Sequence, residues 1–339
     1  MQKRNSYVDF FKGISCIAVI LIHCRFPGAV GGVFRAIARF AVPYFFSATG
    51  YYLYSNTNDV NIEKLKHRLR KTIMLLLYAE LFYIVFYIAS NFLIFGLPFE
   101  TILENFTTAG IVRLLVDNSP VLYPHLWYVF ALIYCYVFII YVCSEKIKNK
   151  HKTVYCFITL TYYIFFSEIL PRFGIGDVFT PWHVSIHNTF FIRALPFVFL
   201  GAIVRDNEER IKTISLSPIH VYLGAFLLCM ISVAERVLFS DSGVYLSSIG
   251  LIVLFWIISI NKICPVNTVL VYIGNQLSTY IYIIHIAVMN LFDMICLKMN
   301  INEIAFVMWV RPIVVILISL GVSGIIAFYK QEHKQKRGL

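Results

Sequence analysis

Long apolar runs separated by short polar or basic connections recur along the whole chain, at 6–25, 40–54, 72–95, 126–143, 153–170, 188–204, 219–234, 244–260, 278–295 and 307–329. Each approaches the ~20 apolar residues that a helix needs to cross the hydrocarbon of a bilayer. The pattern predicts an all-α polytopic membrane protein of about ten transmembrane helices, organised as a single domain over 1–339.

The polar connections predict an orientation. Lys3 and Arg4, then Lys64, Lys66, Arg68, Arg70 and Lys71, then Lys146, Lys148, Lys150 and Lys152 lie in alternate connections. Arg205, Arg210 and Lys212, then Lys262, then Lys330, Lys334, Lys336 and Arg337 continue the alternation, which places both termini in the cytoplasm when ten spans are counted. The opposite connections are poorer in basic residues. The longest, 96–125, carries Glu100, Glu104, Asp117 and the turn formers Pro98, Asn118 and Pro120, and with 171–187 it would cover an outward-facing site. Lys3 and Arg4 ahead of the first run, with Ala36 and Ala38 downstream, imitate a secretory leader; Asp9 and Lys12 inside the run, and the distance to the alanines, argue against cleavage.

Composition strengthens this picture. Hydrophobic residues make up 59% of the chain and charged residues 14%, with a mean hydropathy of +0.76, which one anchor helix could not produce. The formal charge of +11 is therefore read as a topology signal and not as a nucleic-acid footprint. Of the eight cysteines, Cys16, Cys24, Cys135, Cys143, Cys156 and Cys229 lie within apolar runs, with no Cys-x-x-Cys pair, so buried free thiols are expected, with neither a disulfide framework nor a metal site. The segment 330–339 reads as a basic tail.

Ionisable groups inside spans are costly and are the first candidates for chemistry. Lys12 and His23 are eleven residues apart in the first run, about 20° from three full turns, so they share a helix face about 16 Å apart along the axis. Such a pair would line one polar pathway, with His23 as a base; alternatively Lys12 snorkels to the headgroups and His23 lies at the interface. Glu80, in the third run, needs a partner, either orienting His23 or Arg39 or neutralising a structural arginine. Ser278, Tyr282 and His285 form an i, i+4, i+7 polar stripe, suited to substrate or to hydrogen bonds between helices. Arg193, followed by Pro196 and Gly201, is an anion clamp or an interfacial anchor. The run 64–71 packs five positive charges ahead of the third span, as a lipid anchor or with Arg68, Arg70 and Lys71 holding the phosphates of a coenzyme.

Four blocks carry a resemblance to a known family: Asp9-Phe10-Phe11-Lys12-Gly13-Ile14 leading to His23; Arg39 to Phe46 with Pro43, then Thr49-Gly50-Tyr51; His125-Leu126-Trp127-Tyr128; and Gly274-Asn275 through Tyr282 to His285. In this order the chain resembles the acyltransferase-3 family of bacterial integral membrane acyltransferases. The resemblance implies a ten-helix fold in the bacterial cytoplasmic membrane and an acyl-CoA donor, acetyl-CoA foremost. It further implies transfer to a hydroxyl of a surface polysaccharide or other envelope acceptor, with His23 as the essential histidine and Arg68 and Arg70 as donor contacts. Lys12 stands where the family has arginine, and Thr49 where it has serine. The region from His23 to Gly32 is also similar to the membrane part of vancomycin-resistance serine racemases, whose soluble pyridoxal-phosphate domain is not expected here.

The resulting expectation assigns catalysis to His23, Lys12 and Glu80, donor binding to Arg68, Arg70 and Lys71, and acceptor binding to Arg39, Arg193, Ser278, Tyr282 and His285. The competing reading is a carrier for serine, another small amino acid or a glycan precursor, since polar stripes facing a midplane cavity serve that equally well.

Overall fold

The computed structural model describes residues 4–54, 60–90, 123–141, 149–165, 189–238 and 244–336, with isolated positions at 92, 107, 108, 112 and 169. Among these residues the chain is nearly all helical, with no strand beyond one isolated bridge between Tyr54 and Val60. Seven described segments are long and apolar enough to cross a membrane: Ser6–His23, Gly28–Leu53, Ile62–Ser90, Pro124–Tyr141, Pro218–Leu238, Thr268–Lys298 and Ala305–His333. Leu246–Asn261 is apolar but shorter. The expected connections 96–125 and 171–187 lie, for the most part or wholly, outside the described residues.

The helices differ from the expected runs in four informative ways. The stretch between the first two runs is itself a helix, α2 (Gly28–Ala38), following α1 (Ser6–His23) and leading to α3 (Ala41–Leu53). The break at Arg39 and Phe40 is set by Pro43, which is tolerated in the first turn of α3 but would clash with the carbonyl four residues back in a continuous helix. The basic run 64–71, expected as a loop, lies on α4 (Ile62–Ser90), whose start is capped by the Asn61 side chain accepting from the Lys64 N–H at 2.9 Å. The expected tail is helical to Lys336 as part of the last helix. Lys152, expected in a cytoplasmic connection, is fully buried on the helix Asn149–Ile164, its Nζ 4.1 Å from the centre of the Tyr54 ring.

After α4 come α5 (Trp127–Tyr141), entered through the 3-10 turn Pro124–Leu126, then α6 (Asn149–Ile164), α7 (Phe190–Arg193), α8 (Leu195–Asp206) and α9 (Glu208–Lys212). The expected run 188–204 is thus interrupted at Ala194, again shortly ahead of a proline, here Pro196 two residues on. The chain continues through α10 (Pro218–Leu238), α11 (Leu246–Asn261), α12 (Thr268–Tyr272), a π turn (Ile273–Leu277), α13 (Ser278–Lys298) and α14 (Ala305–Lys336).

These elements form two compact units. The first comprises Met1–Ala41, Leu216–Val233 and Gly250–Leu339, and the second Val42–Ser215 with Ala234–Ile249. In the first unit, α1 begins at an Asn5 cap whose side chain accepts from the Tyr7 N–H and donates to the Ser259 carbonyl at 2.8 Å. The α1 backbone then runs against α12 and the π turn so closely that a Cβ on Gly13 would overlap the Leu270 carbonyl, and one on Gly274 the Asp9 carbonyl. Glycine is what admits this approach. Phe11 stacks on Phe255 with ring centres 4.2 Å apart, and Phe40 meets the same ring edge-on.

The second unit uses the same device once more. Between α3 and α8, a Cβ on Gly50 would meet the Val198 carbonyl and one on Gly201 the Ser47 carbonyl. Tyr51 on α3 donates to Glu208 at 3.0 Å and accepts from Arg205 at 3.1 Å, while Arg205 pairs with Glu208. The buried Glu235 carboxylate accepts from the Leu246 and Ser247 N–H groups, both at 3.1 Å, and from the Ser247 hydroxyl, so a side chain of α10 caps the start of α11.

Candidate functional site

The first unit holds the densest group of polar candidates, at the C-terminal end of α1. His23 is the last residue of that helix and is exposed. His285, buried at 1% exposure on α13, lies beside it, the ring centres 5.4 Å apart and tilted by 50°. Tyr282 follows at 6.3 Å from His285. The guanidinium groups of Arg35, Arg25 and Arg39 are close enough to act on the His23 ring electrostatically. Arg35 and Arg39 stand four residues apart across the end of α2, which turns both toward one side. His285 Nδ1 lies 2.9 Å from the Ile281 carbonyl oxygen. A carbonyl has no proton to give, so Nδ1 carries the hydrogen and Nε2 is the basic nitrogen of the neutral ring.

The structure brings part of the expected group together. His23, Arg39, Tyr282 and His285 belong to one neighbourhood, whereas Ser278 sits half-buried at the start of α13, about two helical turns from His285. Lys12 belongs to a different cluster, near the start of α1. Its Nζ lies 3.6 Å from Asp9, whose buried carboxylate also receives Arg4 through two hydrogen bonds of 2.6 and 3.1 Å. Arg4 reaches on to the Asn275 carbonyl in the π turn at 3.3 Å. Lys12 is therefore engaged in neutralising Asp9.

The remaining candidates lie in the second unit. Glu80 is half-buried on α4 and makes no ion pair with another described residue of its unit. Arg68 is half-buried and donates to the Tyr52 carbonyl at 3.1 Å, while Arg70 and Lys71 are exposed on the same helix. Arg193, at the end of α7, places its guanidinium 4.8 Å from the centre of the Trp127 ring. His125, in the turn ahead of Trp127, is buried against Tyr83 at 4.9 Å.

Two polar groupings escaped the sequence reading. Asp293 on α13 and Arg311 on α14 form a two-pronged ion pair, and Arg205, Glu208 and Tyr51 form the network already described. The rule that singled out Lys12 and Glu80, an ionisable group within an apolar run, applies to Asp293 and Arg311 without change.

Comparison with known proteins places the chain as a whole. The family Acyl_transf_3, an acyltransferase domain, matches residues 5–328. The chain belongs to this acyltransferase family. It is a multi-pass membrane protein carrying one acyltransferase domain over nearly its whole length. The chain is also similar to a serine/alanine racemase of Enterococcus gallinarum, 28% identical over 139 residues, a stretch that covers 38% of this chain and 18% of the racemase. The chain thus spans less than a fifth of that relative's length. No solved structure matches.

Proposed function

We propose that this family acyltransferase moves an acyl group, acetyl foremost, from acyl-CoA to a hydroxyl of a surface polysaccharide or another envelope acceptor, in a bacterial cytoplasmic membrane. The observation that carries the reading is His23 at the polar end of α1, exposed and set beside a second histidine, in a chain that the family matches almost end to end. His23 removes the proton of the acceptor hydroxyl as its oxygen attacks the thioester carbonyl. The carbon–sulfur bond then breaks, and the proton passes to the departing coenzyme thiolate. Such a base contributes roughly 100- to 10,000-fold to rate. Arg39 and Tyr282 belong to the acceptor side of this reading. In the second unit, Arg68, Arg70 and Lys71 supply positive charge for the coenzyme phosphates, with Arg193 as a further anion contact. Glu80 and Lys12 act through charge, Lys12 by way of Asp9.

The test is release of coenzyme thiol from acetyl-CoA by purified protein in nanodiscs, across a panel of envelope glycans. Release that requires both an acceptor and His23, and falls at least about 100-fold in His23→Ala while that variant remains monodisperse, is the expected result. Release undiminished by His23→Ala removes His23 as the base. Movement of labelled serine or glycan precursor without consumption of any acyl-CoA identifies a carrier instead.

A further inference from the structure

The stripe on α13 offers its histidine to His23 more directly than to any substrate. At 1% exposure, His285 has no surface to present to a bulky acceptor, yet its ring lies 5.4 Å, centre to centre, from the exposed ring of His23. No hydrogen bond joins the two rings as they stand, but at that separation a turn of the exposed His23 ring brings one nitrogen of each to about 3 Å, an ordinary hydrogen bond. The polarity of such a bond is already decided. Nδ1–H of His285 is committed to the Ile281 carbonyl one turn back on the same helix, so the nitrogen left to face a neighbour is a lone-pair acceptor.

We infer that His285 is a positioning residue for His23, accepting a hydrogen bond from one nitrogen of the His23 imidazole so that the other is presented, unprotonated, to the acceptor hydroxyl. This is the task a carboxylate performs in hydrolase triads. A neutral imidazole suits this location better, because a fully buried carboxylate among apolar helices is costly, whereas a neutral ring anchored to its own helix is not. The arrangement needs no third group, since the Ile281 carbonyl fixes the His285 tautomer as His285 fixes that of His23. The inference rests on His23 being the base.

The experiment compares His285→Phe, a ring without an acceptor, and His285→Gln, whose side-chain oxygen can accept, in full-length protein in nanodiscs. Two readouts are taken: the rate at which diethyl pyrocarbonate modifies His23, followed by peptide mass spectrometry, and the kinetics of thiol release. In His285→Phe, modification of His23 slows and kcat falls about 10- to 100-fold with donor and acceptor KM within about twofold; His285→Gln restores most of both. Wild-type labelling in His285→Phe, equal loss in both variants, or a change confined to acceptor KM overturns the inference. Ring-nitrogen NMR of histidine-labelled, unsubstituted protein gives a measurement independent of substitution, with a His23–His285 nitrogen correlation expected and its absence decisive against the pair. Labelling needs neither donor nor acceptor. A protein that transfers no acyl group but shows the labelling pattern therefore keeps the histidine pair and loses the transferase reading.

Discussion

At the scale of single residues, the charges inside the helices sort by whether another charge answers them. Asp293 and Arg311 answer each other across α13 and α14, with side chains 42% and 26% exposed, so the pair lies between a surface ion pair and a buried one. Asp293→Ala or Arg311→Ala is expected to destabilise the purified protein by about 1–3 kcal/mol, and the double substitution by clearly less than the sum. Thermal unfolding in detergent checks this, and additive losses would show that the two do not interact. The chain pattern named His23 and His285 as candidates, because a histidine within an apolar run stands out in any reading of the sequence. It paired Lys12 with His23 through helical phase, which is correct geometry for one helix but silent on what stands opposite. Asp9, only three residues away, is the group that Lys12 answers.

At the scale of elements, glycine sets where helices can touch. Gly274→Ala would drive a methyl into the Asp9 carbonyl and the Gly13 backbone, whereas Gly321 on α14 has nothing within 4 Å of the position a Cβ would take. Gly274→Ala is expected to cost more than about 2 kcal/mol and much of the membrane-inserted yield, and Gly321→Ala to be neutral or slightly stabilising. Fluorescence-detected size exclusion of tagged variants separates the two, and equal yields would contradict the close crossing. A second test concerns the start of α11. Glu235→Ala removes the acceptor of two backbone N–H groups and should lower stability by about 1–2 kcal/mol, with Glu235→Gln losing less because its amide oxygen still accepts. Apolar runs marked where helices lie, and Pro43 and Pro196 were present to mark the two breaks. The run 40–54 began at the first break, but 188–204 was read straight through the second, because hydropathy counts side chains and ignores the carbonyl that a proline ring displaces. The basic run 64–71 was misplaced in a loop for a related reason: charge density says water, but a helix can extend beyond the bilayer into water.

At the scale of the whole molecule, the alternation of basic connections predicts ten spans with both termini in the cytoplasm. A green fluorescent protein fused after Leu339 should fluoresce, and alkaline phosphatase fused within 96–125 should be active, whereas the reverse pattern would overturn the orientation. By itself the sequence determined that this is a helical membrane protein, since apolar length and lysine and arginine placement are one-dimensional quantities and a bilayer acts on them segment by segment. It also exposed which intramembrane residues are too costly to be accidental. Only the tertiary structure decided what those residues meet. It gathered α1 with the segment Gly250–Leu339 into one unit, setting His23 beside His285 from opposite ends of the sequence, while Lys12 went to Asp9 and Arg4. The reason is physical: in lipid, apolar surface is equally satisfied by tails or by other helices. Which helices pair is therefore settled by close-fitting contacts such as Gly13 against Leu270, visible only once the backbones are in place.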